Sequence, residues 1–284
     1  MTPARIELPE AMRSRAVRQV ILAFAARGAE IRFVGGCVRD AILGRAVHDI
    51  DFATPAKPDA VAAVLDAANI KHIPTGLAHG TLTAVLAPDH FEITTLREDL
   101  ATDGRHATVA FTGDWAADAA RRDFTMNALY CDVDGTLYDP ASGLADAQAG
   151  RVRFVGDAAT RIAEDHLRIL RFFRFYAHYG RPPPDADALA ACGHAAAKIE
   201  TLSAERVGHE ILRLLEAPDP LPALALMDDA GVLSETLREP VRLDVLPHLM
   251  AFEAGEAGEA GEADPLRRLA AMLDEKADTL ESAQ

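Results

Sequence analysis

One stretch constrains this chain more than any other: an apolar run ends in two glycines and leads into a helix-forming segment and two closely spaced aspartates (residues 31–54, IRFVGGCVRDAILGRAVHDIDFAT). The apolar run predicts a strand, and Gly35 and Gly36 predict a tight turn whose backbone N–H groups can cradle phosphate oxygens. A helix is expected to begin near Val38. Because a helix N-terminus favours anions, Arg39 in its first turn is expected within reach of a phosphate.

The two aspartates, Asp49 and Asp51, flank Ile50 in a segment rich in β-forming residues. Side chains of a strand alternate between its two faces, so both carboxylates are predicted to project from the same face. Paired carboxylates next to a phosphate cradle suit Mg²⁺ and metal-assisted phosphoryl or nucleotidyl transfer. Taken singly, the glycine pair and the aspartate pair indicate only a surface turn and an exposed strand. Their combination favours a metal site.

This combination resembles the first signature of class II tRNA nucleotidyltransferases (CCA-adding enzymes) and bacterial poly(A) polymerases, Gly-Gly-x-Val-Arg-Asp followed by Asp-x-Asp. Residues 121–129 (RRDFTMNAL) match the second signature of that family at every position. The resemblance implies that Gly35, Gly36, Arg39 and Arg122 hold the triphosphate of a nucleotide. The alternative for the arginine pair is a solvated ion-pair cluster with Asp118 and Asp123.

Residues 157–179 carry a third pattern, which fits one amphipathic helix. Its polar side holds one acid and three arginines at three-residue steps: Asp165, Arg168, Arg171 and Arg174. An arginine fork can donate to the acceptor edge of cytosine or adenine, while a carboxylate accepts from the exocyclic amine of either base. Asp165 and Arg168 could therefore select C and A. The alternative is a charged helix face held by Glu164–Arg168 and Asp165–Arg168 pairs.

The same segment is similar to the Glu-Asp-x-x-Arg motif of the family, whose Asp and Arg act as a protein template for the incoming base. The resemblance implies that role for Asp165 and Arg168, and nucleotide contacts for Arg171 and Arg174. Residues 205–210 contain the Glu-Arg-x-x-x-Glu pattern that is also present in the family.

Residues 79–97 predict two strands joined by a polar turn. Glu92 shares a strand face with Thr94. If that face looks toward the two aspartates, Glu92 is a third catalytic carboxylate; otherwise it is a solvated strand residue, and both alternatives stay open. The turn composition of Asp99–His106 predicts a mobile loop, which in the family helps to switch between nucleotides.

Pro58 predicts the start of a helix, and Asp134-Gly135 between alternating apolar residues predicts a hairpin. The elements together predict an α+β protein. The resemblance implies a polymerase-β-like nucleotidyltransferase head with a mixed sheet and helices over residues 1–155, followed by an all-α neck and body over residues 156–252 that recognises RNA and nucleobases. Residues 253–284 are predicted to form an acidic low-complexity spacer and a terminal helix. The resemblance is strong over residues 28–235. Members of the family generally continue into a longer helical body and tail.

The composition of the chain bears on the cellular location and the partners of the protein. Since no apolar run is long enough to cross a bilayer and the N-terminus lacks a secretory core, we expect a cytoplasmic protein without a membrane partner. Cys37, Cys131 and Cys192 lie far apart, which predicts buried reduced thiols. The net charge of −15 is unusual for a partner of RNA. Residues 151–181, however, hold seven arginines and three acids, and this basic strip could confine RNA to one place.

The resemblance implies a template-independent nucleotidyltransferase that uses Mg²⁺ and adds CMP and AMP, from CTP and ATP, to the 3′ end of tRNA. Asp49 and Asp51 would hold the metal, and no obligatory protein partner is evident. Close alternatives are a poly(A) polymerase, which the acidic C-terminus disfavours, and a partial enzyme that adds only CC or only A. More distant alternatives are a non-catalytic nucleotide- or RNA-binding module and a metal phosphohydrolase built on His48 and Asp49.

Overall fold

The structure is a computed structural model that describes residues 4–102, 107–255 and 263–273. The chain divides into two compact units, Met1–Asp157 and Ala158–Gln284. The first unit contains the strands and five helices of the described residues, and the second contains eight helices. Every helix of the described ranges is too short or too polar to traverse a bilayer.

The first unit is built on a mixed sheet. Its strands are β1 (Arg32–Val34), β2 (Asp51–Thr54), β3 (Lys71–Gly76), β4 (Thr81–Leu86), β5 (Asp89–Thr95), β8 (Tyr130–Cys131) and β9 (Leu137–Tyr138), and a separate hairpin consists of β6 (Arg97–Thr102) and β7 (Ala107–Phe111). The order in the large sheet is β3-β4-β5-β2-β1-β8-β9. β2 and β5 run parallel, while the other neighbours in this sheet run antiparallel.

Five helices accompany this sheet: α1 (Arg15–Ala25), α2 (Gly36–Ile42), α3 (Pro58–Ala67), α4 (Trp115–Ala120) and α5 (Gly143–Ala149). The predicted helix from Pro58 is confirmed as α3. Proline suits the first position of a helix because its φ is already helical and its missing N–H leaves no bond unmade. Val61 and Leu65 of α3 are fully buried.

Aromatic side chains fill the centre of the sheet. Phe33 on β1 and Phe52 on β2 are register partners and stack with their ring centroids 5.0 Å apart, and both are fully buried. Because successive residues of a strand point to opposite faces, burial of Phe52 turns its neighbour Asp51 to the other face of β2. The core thus determines which side of the sheet carries the carboxylate.

Two segments near the edges of this unit test the sequence predictions. The Asp-Gly signal at Gly135 is confirmed: β8 and β9 form a hairpin, and Gly135 has a φ of +88° that suits glycine. The loop predicted over Asp99–His106 is wrong for its first part. Asp99–Thr102 belongs to β6, which pairs with β7 and takes up an irregularity in register between Asp99 and Ala101. Residues 103–106 lie outside the described residues.

The second unit is helical. Its helices are α6 (Ala158–Glu164), α7 (Leu167–Tyr179), α8 (Ala186–His194), α9 (Ala204–Leu215), α10 (Leu221–Asp229), α11 (Val232–Leu237), α12 (Leu246–Glu253) and α13 (Pro265–Leu273). The apolar side predicted for α7 is confirmed by the burial of Phe172 and Phe173. The terminal helix is confirmed as α13, where Asp264 accepts hydrogen bonds from the backbone of Leu266 and Arg267 at 3.0 and 3.2 Å. Of the predicted spacer, residues 256–262 lie outside the described residues.

The single helix predicted over residues 157–179 is wrong. α6 ends at Glu164 and α7 begins at Leu167. Asp165 lies between them, and its Oδ1 accepts the backbone N–H of Leu167 at 3.1 Å. Aspartate competes in this way with the main-chain bonds of a continuing helix, so it favours a break over an interior position.

The three cysteines are free and buried, as the sequence predicts. Cys37 lies on α2 and donates to the carbonyl of Val34 at 3.4 Å. Burial raises the pKa of the Cys37 thiol to about 12 and that of the Cys131 thiol also to about 12. Burial raises the pKa of Cys192 as well.

Candidate active site

The first unit brings three predicted carboxylates into one cleft. Asp51 is the first residue of β2 and is the register partner of Glu92 on β5. The cleft has a volume of about 480 Å³. Its acidic and imidazole side chains are those of His48, Asp49, Asp51, Asp89, His90 and Glu92. We call it the carboxylate cleft.

The prediction that Asp49 and Asp51 share one strand is wrong for Asp49, since β2 begins at Asp51. On the β1 side of β2 the reason is the end of the partner strand: Phe33 pairs with Phe52, and β1 ends at Val34. No β1 residue therefore remains to pair with Asp49. Asp49 still lines the carboxylate cleft with Asp51, as the sequence predicts.

The electrostatics of the cleft favour a cation. Burial raises the pKa of Asp51, and the charges of Glu92 and Asp49 raise it further, to about 6, against the opposing charge of Arg122. Mutual repulsion of this kind is relieved by a bound divalent cation. Within the described part of the chain, no three His, Cys, Asp or Glu residues form a set that could hold a metal alone. Mg²⁺ typically binds through one or two carboxylates and completes its shell with water and substrate phosphates, so the donor set fits such an ion.

The predicted glycine turn lies between β1 and α2. Gly35 has a φ of +73°, which favours glycine, and α2 begins at Gly36. A Cβ atom at Gly35 would lie 3.7 Å from Nη1 of Arg122, and one at Gly36 would lie 3.7 Å from Nη2 of Arg39. Both predicted triphosphate arginines therefore lie beside the turn, where a side chain on either glycine would approach them.

Arg39 is buried and well held. It makes two hydrogen bonds of 2.9 Å to the carboxylate of Asp40, and its Nη1 donates to Oδ1 of Asn127 at 2.7 Å. Asn127 in turn donates to Asp123 at 3.2 Å. Asn127, for which the motifs alone indicated no role, thus joins the first signature segment to the second.

Arg122 is anchored by Asp118 of α4. Its Nη2 lies 2.9 Å from Oδ2 of Asp118, and its Nε donates to the hydroxyl of Tyr130 at 3.2 Å. Asp118 is 1% exposed, so the cluster is buried and not the solvated ion pair that the sequence left open. Burial by itself would raise the pKa of Asp118, but the charges of Arg122 and Arg121 and a hydrogen bond from Tyr130 lower it to about 2.

In the second unit, the predicted base-reading residues do not pair with each other. Oδ2 of Asp165 lies 2.8 Å from Nη2 of Arg206 on α9. Arg168 instead pairs with Glu164 and donates to the carbonyl of Arg161 at 2.6 Å. Of the two ion pairs in the alternative interpretation, the Glu164–Arg168 pair is therefore confirmed and the Asp165–Arg168 pair is wrong. The break between α6 and α7 moves Asp165 off the helix that carries Arg168.

The other two predicted arginines converge on a second residue of α9. Arg174 Nε donates to Glu210 at 2.6 Å, and Arg171 Nη1 lies 3.7 Å from the other oxygen of that carboxylate. Glu210 is 4% exposed. Arg206 and Glu210 belong to the Glu-Arg-x-x-x-Glu pattern. Their four-residue spacing places them on one helix face and was the available signal that they act together.

Comparisons with known proteins bear on both units. The family described as "Poly A polymerase head domain" matches residues 31–153, and the family described as "Probable RNA and SrmB- binding site of polymerase A" matches residues 184–241. The mouse protein named CCA tRNA nucleotidyltransferase 1, mitochondrial, is 44% identical over 212 residues, which cover 74% of this chain and 49% of the mouse protein. The CCA-adding enzyme of Staphylococcus epidermidis is 41% identical over 191 residues, which cover 66% of this chain and 46% of that enzyme.

A crystal structure of a CCA-adding enzyme is also similar to this chain. The Bacillus stearothermophilus CCA-adding enzyme in complex with CTP is 34% identical and superimposes with a TM-score of 0.67, covering 75% of this chain and 51% of that chain. The chain belongs to the family of class II tRNA nucleotidyltransferases and bacterial poly(A) polymerases. The predicted α+β fold, with a polymerase-type head and a helical second unit, is confirmed. The chain spans about half the length of the curated relatives it matches.

Proposed function

We propose that this protein is a template-independent nucleotidyltransferase that adds CMP and AMP, from CTP and ATP, to the 3′ end of tRNA. The observation that carries the proposal is the electrostatic proximity of two groups in the first unit. Burial raises the pKa of Asp51 in the carboxylate cleft, and the negative charge of Glu92 raises it further. The positive charge of Arg122, which lies beside the glycine turn, lowers it. A metal-binding cleft and a triphosphate-binding turn are therefore neighbours, as nucleotidyl transfer requires.

The chain's own residues would divide the reaction between them. Asp49 and Asp51 would hold Mg²⁺, and Glu92, the register partner of Asp51, would be the third carboxylate. The chemistry that Mg²⁺ supplies when bound is acidification of the attacking 3′ hydroxyl and neutralisation of charge that develops on the phosphate oxygens. Transfer follows when the hydroxyl attacks the α-phosphate and pyrophosphate leaves.

The triphosphate would be held by the glycine turn and its two arginines. Gly35 and Gly36 leave the turn open on the side where Arg39 and Arg122 lie. Both guanidiniums are fixed by protein acceptors, Asp40 and Asn127 for Arg39 and Asp118 for Arg122. A fixed cation loses little entropy when it binds phosphate, so these contacts would orient the α-phosphate at little cost.

Selection of the base is assigned to the second unit. Asp165 is held by Arg206, yet a carboxylate has about four acceptor sites, so it can also accept the exocyclic amine of C or A. Arg168 retains further N–H donors beyond the Nη1 group that binds Glu164. Uracil and guanine would turn an oxygen toward Asp165. Polar pairing of this kind rejects the wrong partner by roughly 10⁴-fold.

The decisive experiment supplies purified protein and Mg²⁺ with tRNAs that end before, within and after the CCA sequence, and offers each labelled nucleoside triphosphate separately. We expect CTP and ATP to be used on the first two acceptors and nothing to be added to the third. Long A tracts on any RNA would instead show a poly(A) polymerase, and use of CTP alone or ATP alone would show a partial enzyme. Nucleotide binding without incorporation would show a non-catalytic module.

Two further expectations belong to this proposal. The metal is Mg²⁺ in particular, which the assay tests by comparing Mg²⁺ with Ca²⁺ and a chelator. The cytoplasmic location stays a prediction, and the mouse relative is named as mitochondrial. For a phosphohydrolase built on His48 and Asp49, the described ranges offer no set of three or more His and Asp ligands that could hold a metal by themselves.

A further inference from the structure

The carboxylate of Asp118 accepts hydrogen bonds at both of its oxygens. Its Oδ2 accepts from Arg122 at 2.9 Å and from the hydroxyl of Tyr130 at 2.7 Å. Tyr130 also accepts from Nε of Arg122, so carboxylate, hydroxyl and guanidinium form a closed triangle. Arg122 of this triangle lies beside the glycine turn, where its Nη1 is 3.7 Å from a Cβ position on Gly35.

The other oxygen of Asp118 faces the hairpin of β6 and β7. Oδ1 accepts from Nη2 of Arg121 at 2.7 Å and from the backbone N–H of Arg97 at 3.2 Å. Arg121 also donates from Nε to the carbonyl of Arg97 at 3.1 Å. Both backbone polar groups of Arg97, the first residue of β6, are therefore held by Asp118 or by its arginine partner.

Arg97 lies where the hairpin leaves the large sheet. The residue before it, Leu96, donates its N–H to Thr54 of β2 at 2.8 Å and accepts from Thr112, just beyond β7, at 2.9 Å. Leu96 is fully buried. We call Leu96 and Arg97 the hairpin root. It joins the hairpin to the strand that begins with Asp51.

We propose that Asp118 is a positioning residue for nucleotide binding, which holds Arg122 beside the glycine turn through one oxygen and the hairpin root through the other. This inference rests on the proposed function, because Arg122 is taken to bind the triphosphate of CTP or ATP. Since one rigid carboxylate serves both groups, a movement of the hairpin root displaces Arg122, and triphosphate bound to Arg122 stabilises the root.

The first test measures binding of CTP and of ATP by calorimetry, without RNA, for the wild-type protein and for Asp118→Asn. The asparagine keeps the shape, but it loses the charge and turns an NH₂ group toward one set of donors. We expect the Kd of both nucleotides to rise about tenfold, with the ratio of the two changed less than about twofold, because the triphosphate is common to both.

A purely structural role gives a different result. If Asp118 only stabilises the fold, the variant shows fewer binding sites per protein with an unchanged Kd. The matched control is Asp146→Asn, which removes another buried acid of the same unit, 4% exposed and paired with Arg153 at 2.7 Å. We expect its Kd to stay within about twofold of the wild-type value.

Tyr130→Phe keeps the inference falsifiable if Asp118→Asn folds poorly, and a double-mutant cycle tests the pairing of Asp118 with Arg122. Tyr130→Phe removes one hydroxyl from the triangle and leaves all charges, and we expect a Kd raised about threefold. Asp118→Asn combined with Arg122→Met should bind no more weakly than Arg122→Met alone, because methionine has no cationic donor for Asp118 to hold. Equal effects of Asp118→Asn on both backgrounds would overturn the inference.

Amide hydrogen exchange tests the link to the hairpin. We expect saturating CTP to slow exchange in the peptide that contains Arg97 in the wild-type protein and to leave it unchanged in Asp118→Asn. Unchanged exchange in the wild type would refute the link. A wild-type protein that binds neither nucleotide would overturn the proposed function and this inference together, whereas binding that is insensitive to Asp118 would overturn this inference alone.

Discussion

Asp51 and Glu92 are register partners on the parallel strands β2 and β5, so the first carboxylate of one strand lies directly beside a carboxylate of the next. Neighbouring strands are about 4.8 Å apart, which is close enough for strong repulsion in a partly buried cleft. The raised pKa of Asp51 records that repulsion. A cleft that is electrostatically unfavourable when empty gains most from a divalent cation.

Replacing either predicted metal ligand should abolish transfer. For Asp49→Asn and Asp51→Asn we expect kcat to fall by about 10³-fold or more, because the charge that holds the metal and stabilises the transition state is lost. The measurement is single-nucleotide incorporation from labelled CTP. Asp89→Asn is the matched control, since Asp89 lines the same cleft without an assigned role. Equal losses in all three variants would contradict the assignment.

Glu92→Gln should lower the pKa of Asp51. Burial raises that pKa first, and the charge of Glu92 is the next largest cause, so the value of about 6 should fall in the variant. The test is an NMR titration of the Asp51 carboxyl carbon in metal-free protein. An unchanged pKa would show that Glu92 does not act on Asp51, and the third carboxylate would have to be sought elsewhere.

The stabilising effect of Mg²⁺ should depend on pH. The pKa of Asp51 is raised from 3.8 to about 6, so its carboxyl binds more protons in the folded state in that window, and its contribution to the stability of the metal-free protein falls as pH rises from about 4 to about 6. Mg²⁺ competes with those protons. We expect a larger rise in Tm on addition of Mg²⁺ at pH 8 than at pH 5, measured by calorimetry. In Asp51→Asn, the rise in Tm on addition of Mg²⁺ should be small and similar at the two pH values.

The contribution of Asp118 to stability should change with pH in the direction opposite to that of Asp51. Its pKa is lowered to about 2, so its contribution to the free energy of unfolding is present above about pH 4 and is lost as pH falls toward 2. The difference in unfolding free energy between the wild type and Asp118→Asn should therefore narrow over that range. Urea titrations at pH 7, 5, 4 and 3 measure it. A difference that stays constant would show that the buried charge carries none of the stabilisation.

Arg206 should support discrimination between bases. Arg206→Ala frees Asp165 from its 2.8 Å partner, and we expect the ratio of kcat/KM for CTP over UTP to fall by about tenfold or more. Arg213→Ala, an exposed position on the same helix, is the control and should leave that ratio unchanged. If both variants change overall activity and neither changes the ratio, Asp165 does not select the base.

Local signals in the sequence were sufficient to predict much of the secondary structure of the first unit. The glycine turn, the Pro58 helix and the hairpin at Gly135 each depend on the conformational preference of one or two residues, and the structure contains all three. The strand face that carries Asp51 could be predicted because apolar and polar residues alternate around it. The pairing of Glu92 with Asp51 could not be predicted, since it depends on which strands become neighbours in the sheet.

The second unit shows where periodicity misleads. Asp165 keeps a helical spacing to the three arginines of α7, although it lies with His166 in the break between α6 and α7. The partner of Asp165 is 41 residues away in the chain. No repeat pattern encodes such a pair, and it follows only from the packing of α9 against α7.

The buried thiols give each unit its own reporter. Cys37 and Cys131 lie in the first unit and Cys192 in the second, and a thiol with a raised pKa reacts with an alkylating reagent only after the surrounding structure opens. Labelling rates at Cys192 and at the other two positions therefore record two separate opening equilibria in one sample. Substrate analogues added to such an experiment would reveal which half of the molecule each of them tightens.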